Sequence, residues 1–246
     1  MKFALLIAAT VVAPLSAQWK TPWTYETAGH WSALDPEYAI CGAGKEQSPI
    51  DIRNVQMSDL PALRFDYHAG LLKYLINNGA TIRVNYHDAP GAGNFVIVGD
   101  TRYQLTQFHF HRPSEEYVDG KPYAMEVHLM HQSGDGKVAG VTVFLKSGAA
   151  NPTVQNLWDH MPPTESKELE IAGVTVDPGG LLPRDTAYYM YPGSITAPPC
   201  TEGVTWFVLK TPVEISPAQI EAFAKLYPHD VRPVQPLNGR VVKASK

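Results

Sequence analysis

The 246-residue chain has only two cysteines, charged residues make up just 18% of it, and it contains no run of lysine or arginine. With a formal charge of -4, the missing basic block excludes the electrostatic footprint of a nucleic-acid binder. An apolar content of 44% excludes a natively unfolded chain. There is no internal repeat and no low-complexity linker, so neither a repeat array nor an obvious domain boundary is indicated. Helical periodicity is sparse, and past the first residues no apolar run is long enough to span a bilayer. What is abundant is turn chemistry, with 19 glycines and 21 prolines scattered along the chain, which favours short strands over long helices.

The chain opens MKFALLIAATVVAPLSA, a lysine, an apolar run and then small residues, the build of a secretory signal peptide. Residues 1–17 are read as that leader, cut after Ala17, although Leu15 is a poor match to the small residue such sites prefer. Phe3 to Val12 is too short to cross a bilayer, which argues against the alternative of an uncleaved anchor. Residues 18–246 then form one exported domain, periplasmic or secreted, with no membrane span after cleavage. In an oxidising compartment Cys41 and Cys200, with no CxxC motif, are most simply one disulfide closing a loop of about 160 residues. Two buried free thiols are the alternative.

Strand patterns fall at Leu72 to Ile76, Thr81 to Tyr86, Asn94 to Val98, Tyr103 to Arg112, Tyr123 to His131, Val138 to Lys146 and Thr205 to Leu209. Helical patterns are limited to Pro152 to His160 and to Pro217 to Leu226, the latter with Ser216 as cap. The expected fold is mainly β, a single domain built on a large, mostly antiparallel sheet with short peripheral helices.

Nine histidines are present, and three share a phase. His109 and His111 in QFHFHRP alternate with Phe108 and Phe110, so both imidazoles face one side, with Cα atoms about 6.5 Å apart. A turn rich in Pro, Asp and Gly from Pro113 to Pro122 lets the chain return and set His128 on the neighbouring antiparallel strand. His131 has the opposite parity and is excluded as a ligand. The remaining histidines, His30, His68, His87, His160 and His229, have no same-face partner at ligand spacing and read as surface or structural. Three imidazoles with an open fourth position are the ligand set of a catalytic zinc ion, Zn2+. Gln107 and Glu126 share the same face and suit partners that fix the ring tautomers through the nitrogens away from the metal. A competing reading takes His109, His111 and Glu115 as HxHxxxE, the pattern of a cupin metal site in a jelly roll, with iron or manganese as alternatives to zinc. The glycines expected around that pattern are not in place.

Taken with QSPIDI at 47–52, NNG at 77–79, YPGSITAPPCTEGVTW at 191–206 and RPVQPLNGR at 232–240, the chain resembles an α-class carbonic anhydrase of the exported bacterial type. The resemblance runs from about Trp23 to Ser245. It implies a large twisted sheet and the Cys41–Cys200 pair. His109, His111 and His128 would bind zinc, which activates water for addition to carbon dioxide, giving bicarbonate. It implies that Thr196 takes the water's proton in a hydrogen bond and passes its own to Glu115, and that Met130, Val138, Ile195 and Trp206 form an apolar wall for carbon dioxide, with Ala197 beside Thr196. A zinc-dependent esterase activity and a binding or scaffold protein on the same fold are the alternatives. The oligomeric state is left open, a homodimer included.

The chain departs from the family pattern at several positions. Ala80 follows NNG where many relatives carry a histidine that moves the product proton to buffer, a task alanine cannot perform. Arg83 stands where relatives tend to have Asn or Gln, either holding bicarbonate or pointing to solvent. Glu116 replaces a His or Asn in the network around Glu126, which would set two acids side by side. Asp230 replaces an Asn whose main-chain carbonyl orients a ligand histidine, a change expected to be silent. Gly140 is expected to widen the pocket.

Overall fold

The computed structural model describes residues 21–246, so the leader read at 1–17 lies outside the described residues. Eleven strands form one sheet: β1 (Gln56–Met57), β2 (Leu63–Asp66), β3 (Leu75–Asn77), β4 (Ile82–Asn85), β5 (Phe95–Val98), β6 (Thr101–His111), β7 (Met125–Ser133), β8 (Val138–Ser147), β9 (Tyr188–Ser194), β10 (Glu202–Ile215) and β11 (Lys243–Ala244). Their order is β1-β11-β9-β10-β8-β7-β6-β4-β3, with β5 pairing the first half of β6 and β2 pairing β5. The sheet is mostly antiparallel, as expected, but mixed: β8 and β10 at its centre run parallel, as do β11 and β1.

Alternation along the central strands sorts the side chains. Phe108, Phe110, Val127, Leu129, Val141, Val143, Phe207 and Leu209 pack into one large core on one face, together with Leu157, Trp158 and Phe223 from the helices α1 (Pro152–Trp158) and α2 (Pro217–Ala224). Fully burying one such side chain contributes about 1.5–3 kcal/mol, so a one-residue slip of β6 or β7 would cost many times that. The opposite face carries a smaller apolar cluster, including Met130, Tyr191, Trp206 and Val208. Both helices start where capping chemistry predicts. Asn151 accepts from the Val154 N–H at 3.0 Å, and Ser216 forms a capping box with Gln219. Gln219 is buried and also bonds both backbone groups of Asn151, tying the helices together.

Several elements differ from the expected pattern. The run from Leu72 to Ile76 is broken at Tyr74, whose φ of 40° takes the chain out of the strand, and Leu72 instead donates to the Val174 carbonyl. β9 was hidden by Pro192 and Gly193, residues that weaken a strand pattern. Pro192 is tolerated because β11 pairs only with Tyr189 and Met190, leaving that stretch of β9 with a neighbour on one side alone. The short helical turns of 25–43 carry Trp31, Tyr38 and Cys41 into a third cluster, closed by the Cys41–Cys200 disulfide with a Cα–Cα distance of 5.1 Å. Among the described residues no helix is long and apolar enough to cross a membrane.

His131, on the face away from its neighbour His128, is buried, its Nε2 2.6 Å from the Tyr67 hydroxyl and the two rings stacked. Burial lowers its pKa to about 3, against about 6.5 in an unfolded chain. Above about 6.5 both states are neutral and there is no cost. As pH falls toward 3 only the unfolded state takes the proton, so stability drops by up to about 1.4 kcal/mol per pH unit. Replacing the pair together, Tyr67→Phe with His131→Phe, is expected to flatten the pH dependence of urea unfolding between about pH 6.5 and 4.5. An unchanged slope would show that His131 is not the group responsible.

Candidate metal centre

The register of β6 on β7 sets His128 directly opposite His109, and His111 shares their face two residues further along β6. Ring centroids are 4.8 Å apart for His109–His111, 5.3 Å for His109–His128 and 4.8 Å for His111–His128. One nitrogen of each ring is engaged. His109 Nδ1 donates to Gln107 Oε1 at 2.8 Å, and His111 Nδ1 donates to the Asp230 carbonyl at 2.7 Å. His128 Nε2 lies 3.0 Å from Glu126 Oε1 and 3.2 Å from Glu116 Oε2. Carbonyl and carboxylate oxygens only accept, so these bonds set the tautomers of His109 and His111 and turn the second nitrogen of each of the three rings away from its anchor.

Those free nitrogens converge. His111 Nε2 and His128 Nδ1 are buried with no hydrogen-bond partner, and the three histidines offer ligand atoms within 4.8 Å of one another. Orphaned acceptors this deep are costly unless a cation joins them, and three neutral imidazoles suit zinc. Burial and the mutual influence of the rings hold His109 and His111 well below the ordinary histidine range, which keeps their lone pairs available. Burial also pushes His128 down, but the carboxylates of Glu126 and Glu116 outweigh it and hold the ring well above the ordinary range. Glu115, Glu126 and His128 also cluster, yet Glu126 Oε1 is committed to the Glu115 N–H at 2.8 Å and to His128. The three histidines are the better ligand set. A cupin-type arrangement is overturned by the fold, because one continuous sheet replaces the two of a jelly roll.

Around the histidines, Glu115 is fully buried and Thr196 nearly so. Glu115 Oε1 accepts from the Arg232 N–H at 2.7 Å, and Oε2 is 3.4 Å from His111 Nε2. The Thr196 hydroxyl lies close enough to this carboxylate to lower its pKa, while Oε2 has no hydrogen-bond partner. Burial raises the Glu115 pKa to about 7, against the lowering effects of His128, the Arg232 N–H and Thr196. Met130, Val138, Ile195 and Trp206 fall in one apolar cluster on the histidine side, and the Trp206 ring lies 4.6 Å from that of His128. Ala197 accepts from the Cys200 N–H in the turn that follows Thr196. Ala80 lies in the turn before β4, its N–H bonded to Asn78 Oδ1.

Two expectations need correction. Gly140 does not widen a pocket, because the Trp206 ring fills the space over it: a Cβ there would meet that ring at 2.4 Å. Asp230 is not silent. Its carbonyl holds His111, but its buried side chain also accepts from the Arg112 N–H at 2.7 Å and leaves Oδ2 without a partner. Sequence reasoning also missed Tyr25, whose ring stands edge-on 6.0 Å from His111, and which no local pattern marks. Arg232 and Tyr191 were missed as well, although both lie in motifs that carry the family resemblance. Arg232 bonds the carbonyls of Ser48 and Cys41, and the Tyr191 hydroxyl donates to Glu116 Oε1 at 2.8 Å.

Residues 26–246 match the model of the eukaryotic-type carbonic anhydrase family. The chain belongs to that family. It is 44% identical to a carbonic anhydrase of Klebsiella pneumoniae over 224 residues, 89% of each chain. The solved α-carbonic anhydrase of Thermovibrio ammonificans, in complex with sulfanilamide, superposes with a TM-score of 0.83 at 41% identity, covering 91% of this chain and 99% of that one. Dioscorin DB3L of Dioscorea polystachya is 37% identical over 222 residues, 87% of this chain and 80% of its own.

In this chain Glu116 and Glu126 do lie side by side on His128. Burial raises Glu116, but bonds from His128 and Tyr191 hold it below the ordinary carboxylate range. Glu126, buried and facing that charge, is pushed well above it, so the two acids compete for one imidazole N–H. A histidine at 116 would donate to Glu126 and leave it ionised as the single acceptor from His128. Glu116→His is therefore expected to tighten zinc binding by about tenfold, measured by competition with a chelator. Unchanged or weaker binding would count against this account of the pair.

Proposed function

We propose that this member of the carbonic anhydrase family hydrates carbon dioxide to bicarbonate and a proton at a zinc ion held by His109, His111 and His128. The observation that carries the reading is the convergence of three imidazole nitrogens whose opposite nitrogens are all anchored, with a metal at His128 taking the place of a proton. Held there, a zinc ion would supply a bound water of lowered pKa, a chemistry for which carbonic anhydrases are the reference case.

The chain's own residues supply orientation and an apolar wall. Glu115 takes the Arg232 N–H on Oε1, so Oε2 is left to accept from the Thr196 hydroxyl. With its own O–H directed at Glu115, Thr196 Oγ1 offers only lone pairs toward the histidines and so accepts a hydrogen bond from the attacking water, fixing its direction. Met130, Val138, Ile195 and Trp206 suit carbon dioxide, which has no net dipole and gains little from polar partners. Ala197 sits beside Thr196 at the edge of this wall. At Ala80 there is no titratable group to carry the proton outward, so turnover depends on buffer.

The leader pattern at 1–17 and the Cys41–Cys200 disulfide support export to the periplasm or the medium. A second reading is a binding or scaffold protein on this fold with little catalysis; a dioscorin of this fold, 35% identical, is solved in complex with ascorbate.

Stopped-flow hydration of carbon dioxide separates the two. The zinc-loaded protein is expected to be active, the chelator-stripped protein inactive, and the rate to rise with added imidazole. Thr196→Val should lower kcat/KM by about a hundredfold while zinc content stays unchanged. No hydration despite bound zinc would favour the scaffold, and a rate flat with imidazole would remove the proton-transfer limit.

A further inference from the structure

β4 brings a permanent charge beside the histidines that hydration of carbon dioxide does not require. Its register on β6 sets Arg83 opposite His109 and Asn85 opposite Gln107, so these four side chains share the face on which the imidazoles converge. Arg83 does not simply point to solvent. It is partly buried, and its Nε is enclosed with no partner. Among the described residues its guanidinium makes no hydrogen bond, and no carboxylate oxygen lies within 4.0 Å. Glu168, the acid whose field reaches it, is committed elsewhere, accepting from Asn85 Nδ2 at 2.6 Å and lying 3.1 Å from His87 Nε2.

The neighbouring amide has the same polarity. Because Gln107 Oε1 accepts from His109 Nδ1, its Nε2 is left with two N–H donors and no protein acceptor among the described residues. A guanidinium fork and an amide NH2 therefore flank His109 with donors only. Enclosing a guanidinium N–H with no partner and no ion pair is unfavourable, and a fork of parallel N–H groups matches the two oxygens of a planar oxyanion. We propose that Arg83, with the Gln107 amide, forms a subsite for a small planar monoanion of the carboxylate type, bicarbonate or an organic carboxylate, beside His109. The inference rests on the proposed metal site, whose product is such an anion, and it makes Arg83 a group that retains product.

The test is an NMR titration of the zinc-loaded protein with sodium acetate and, separately, with 13C-bicarbonate, following the arginine Nε–H signals, with chloride at equal ionic strength as control. One Nε–H signal, absent in Arg83→Gln, should shift to saturation. The dissociation constant should weaken about tenfold in Arg83→Gln and less in Arg83→Lys, which keeps the charge and loses the fork. Zinc content verifies the metal site in each variant, and Arg83→Lys carries the comparison if the glutamine variant does not fold. Tighter bicarbonate than acetate assigns the subsite to product, and the reverse assigns it to organic carboxylates. An unchanged constant in Arg83→Gln, or chloride matching acetate, overturns the subsite. Hydration rates on the same samples separate the two proposals. Hydration with no Arg83 effect on anion affinity leaves the enzyme and removes the subsite, whereas Arg83-dependent binding without hydration does the opposite.

Discussion

Three imidazole nitrogens can meet at one point only if β6 and β7 pair in a single register. His128 opposite His109 is that register, and it is enforced from the other side of the sheet. Phe108 and Phe110 on β6 and Val127 and Leu129 on β7 are fully buried there, so a shift of one residue would bring aromatic rings to the metal face and histidines into the apolar core. The apolar core thus sets the metal geometry without touching it. The outer nitrogens then draw in the rest of the chain. Gln107 comes from the same strand, Glu126 from the next, Glu116 from the loop between them, and Asp230 from the C-terminal segment.

The second constraint is charge. Glu115, Glu116, Glu126 and Asp230 are all buried within reach of the three histidines. Burial raises Glu115, Glu126 and Asp230 above the ordinary carboxylate range. Such a cluster is stable only when partly protonated or when a cation offsets it. A divalent ion on the imidazoles supplies the second, because it favours ionised carboxylates and makes the anchored N–H groups stronger donors. Metal binding and the stability of this face of the sheet are therefore linked.

Alternation made the ligand set legible, since a period of two over QFHFH and EVH is enough to put the three rings on one face of two adjacent strands. The long strands and both capped helices were legible for the same local reasons. Hidden features depended on distant chain. β9 carries Pro192 at a stretch where β11 has ended, a circumstance no local pattern reveals. Tyr25 reaches His111 from the N-terminal turns, and Arg232 reaches Glu115 across 117 residues. Thr196 and Glu115 would pass for a turn threonine and a loop acid on composition alone. Their shared role stood out only through the family resemblance. Gly140 misled because an empty Cβ suggests room, whereas the Trp206 ring occupies it.

The departures from the family pattern sit at different depths, and depth decides what each can change. Ala80 and Arg83 belong to β4 and the turn before it, and neither anchors a ligand ring. Altering them changes what reaches and leaves the histidines, while the three lone pairs stay where the core puts them. Glu116 is different, because it shares the His128 N–H with Glu126 and accepts from Tyr191. A change there acts on the donor strength of a ligand itself. The imidazoles, their anchors, and the Glu115–Arg232 link are tied into the sheet and the C-terminal segment, so substitution at those points would disturb the fold with the site. Variation at the metal thus reaches two anchors, Glu116 on His128 and Asp230 on His111, and variation in traffic is confined to β4 and the turn before it.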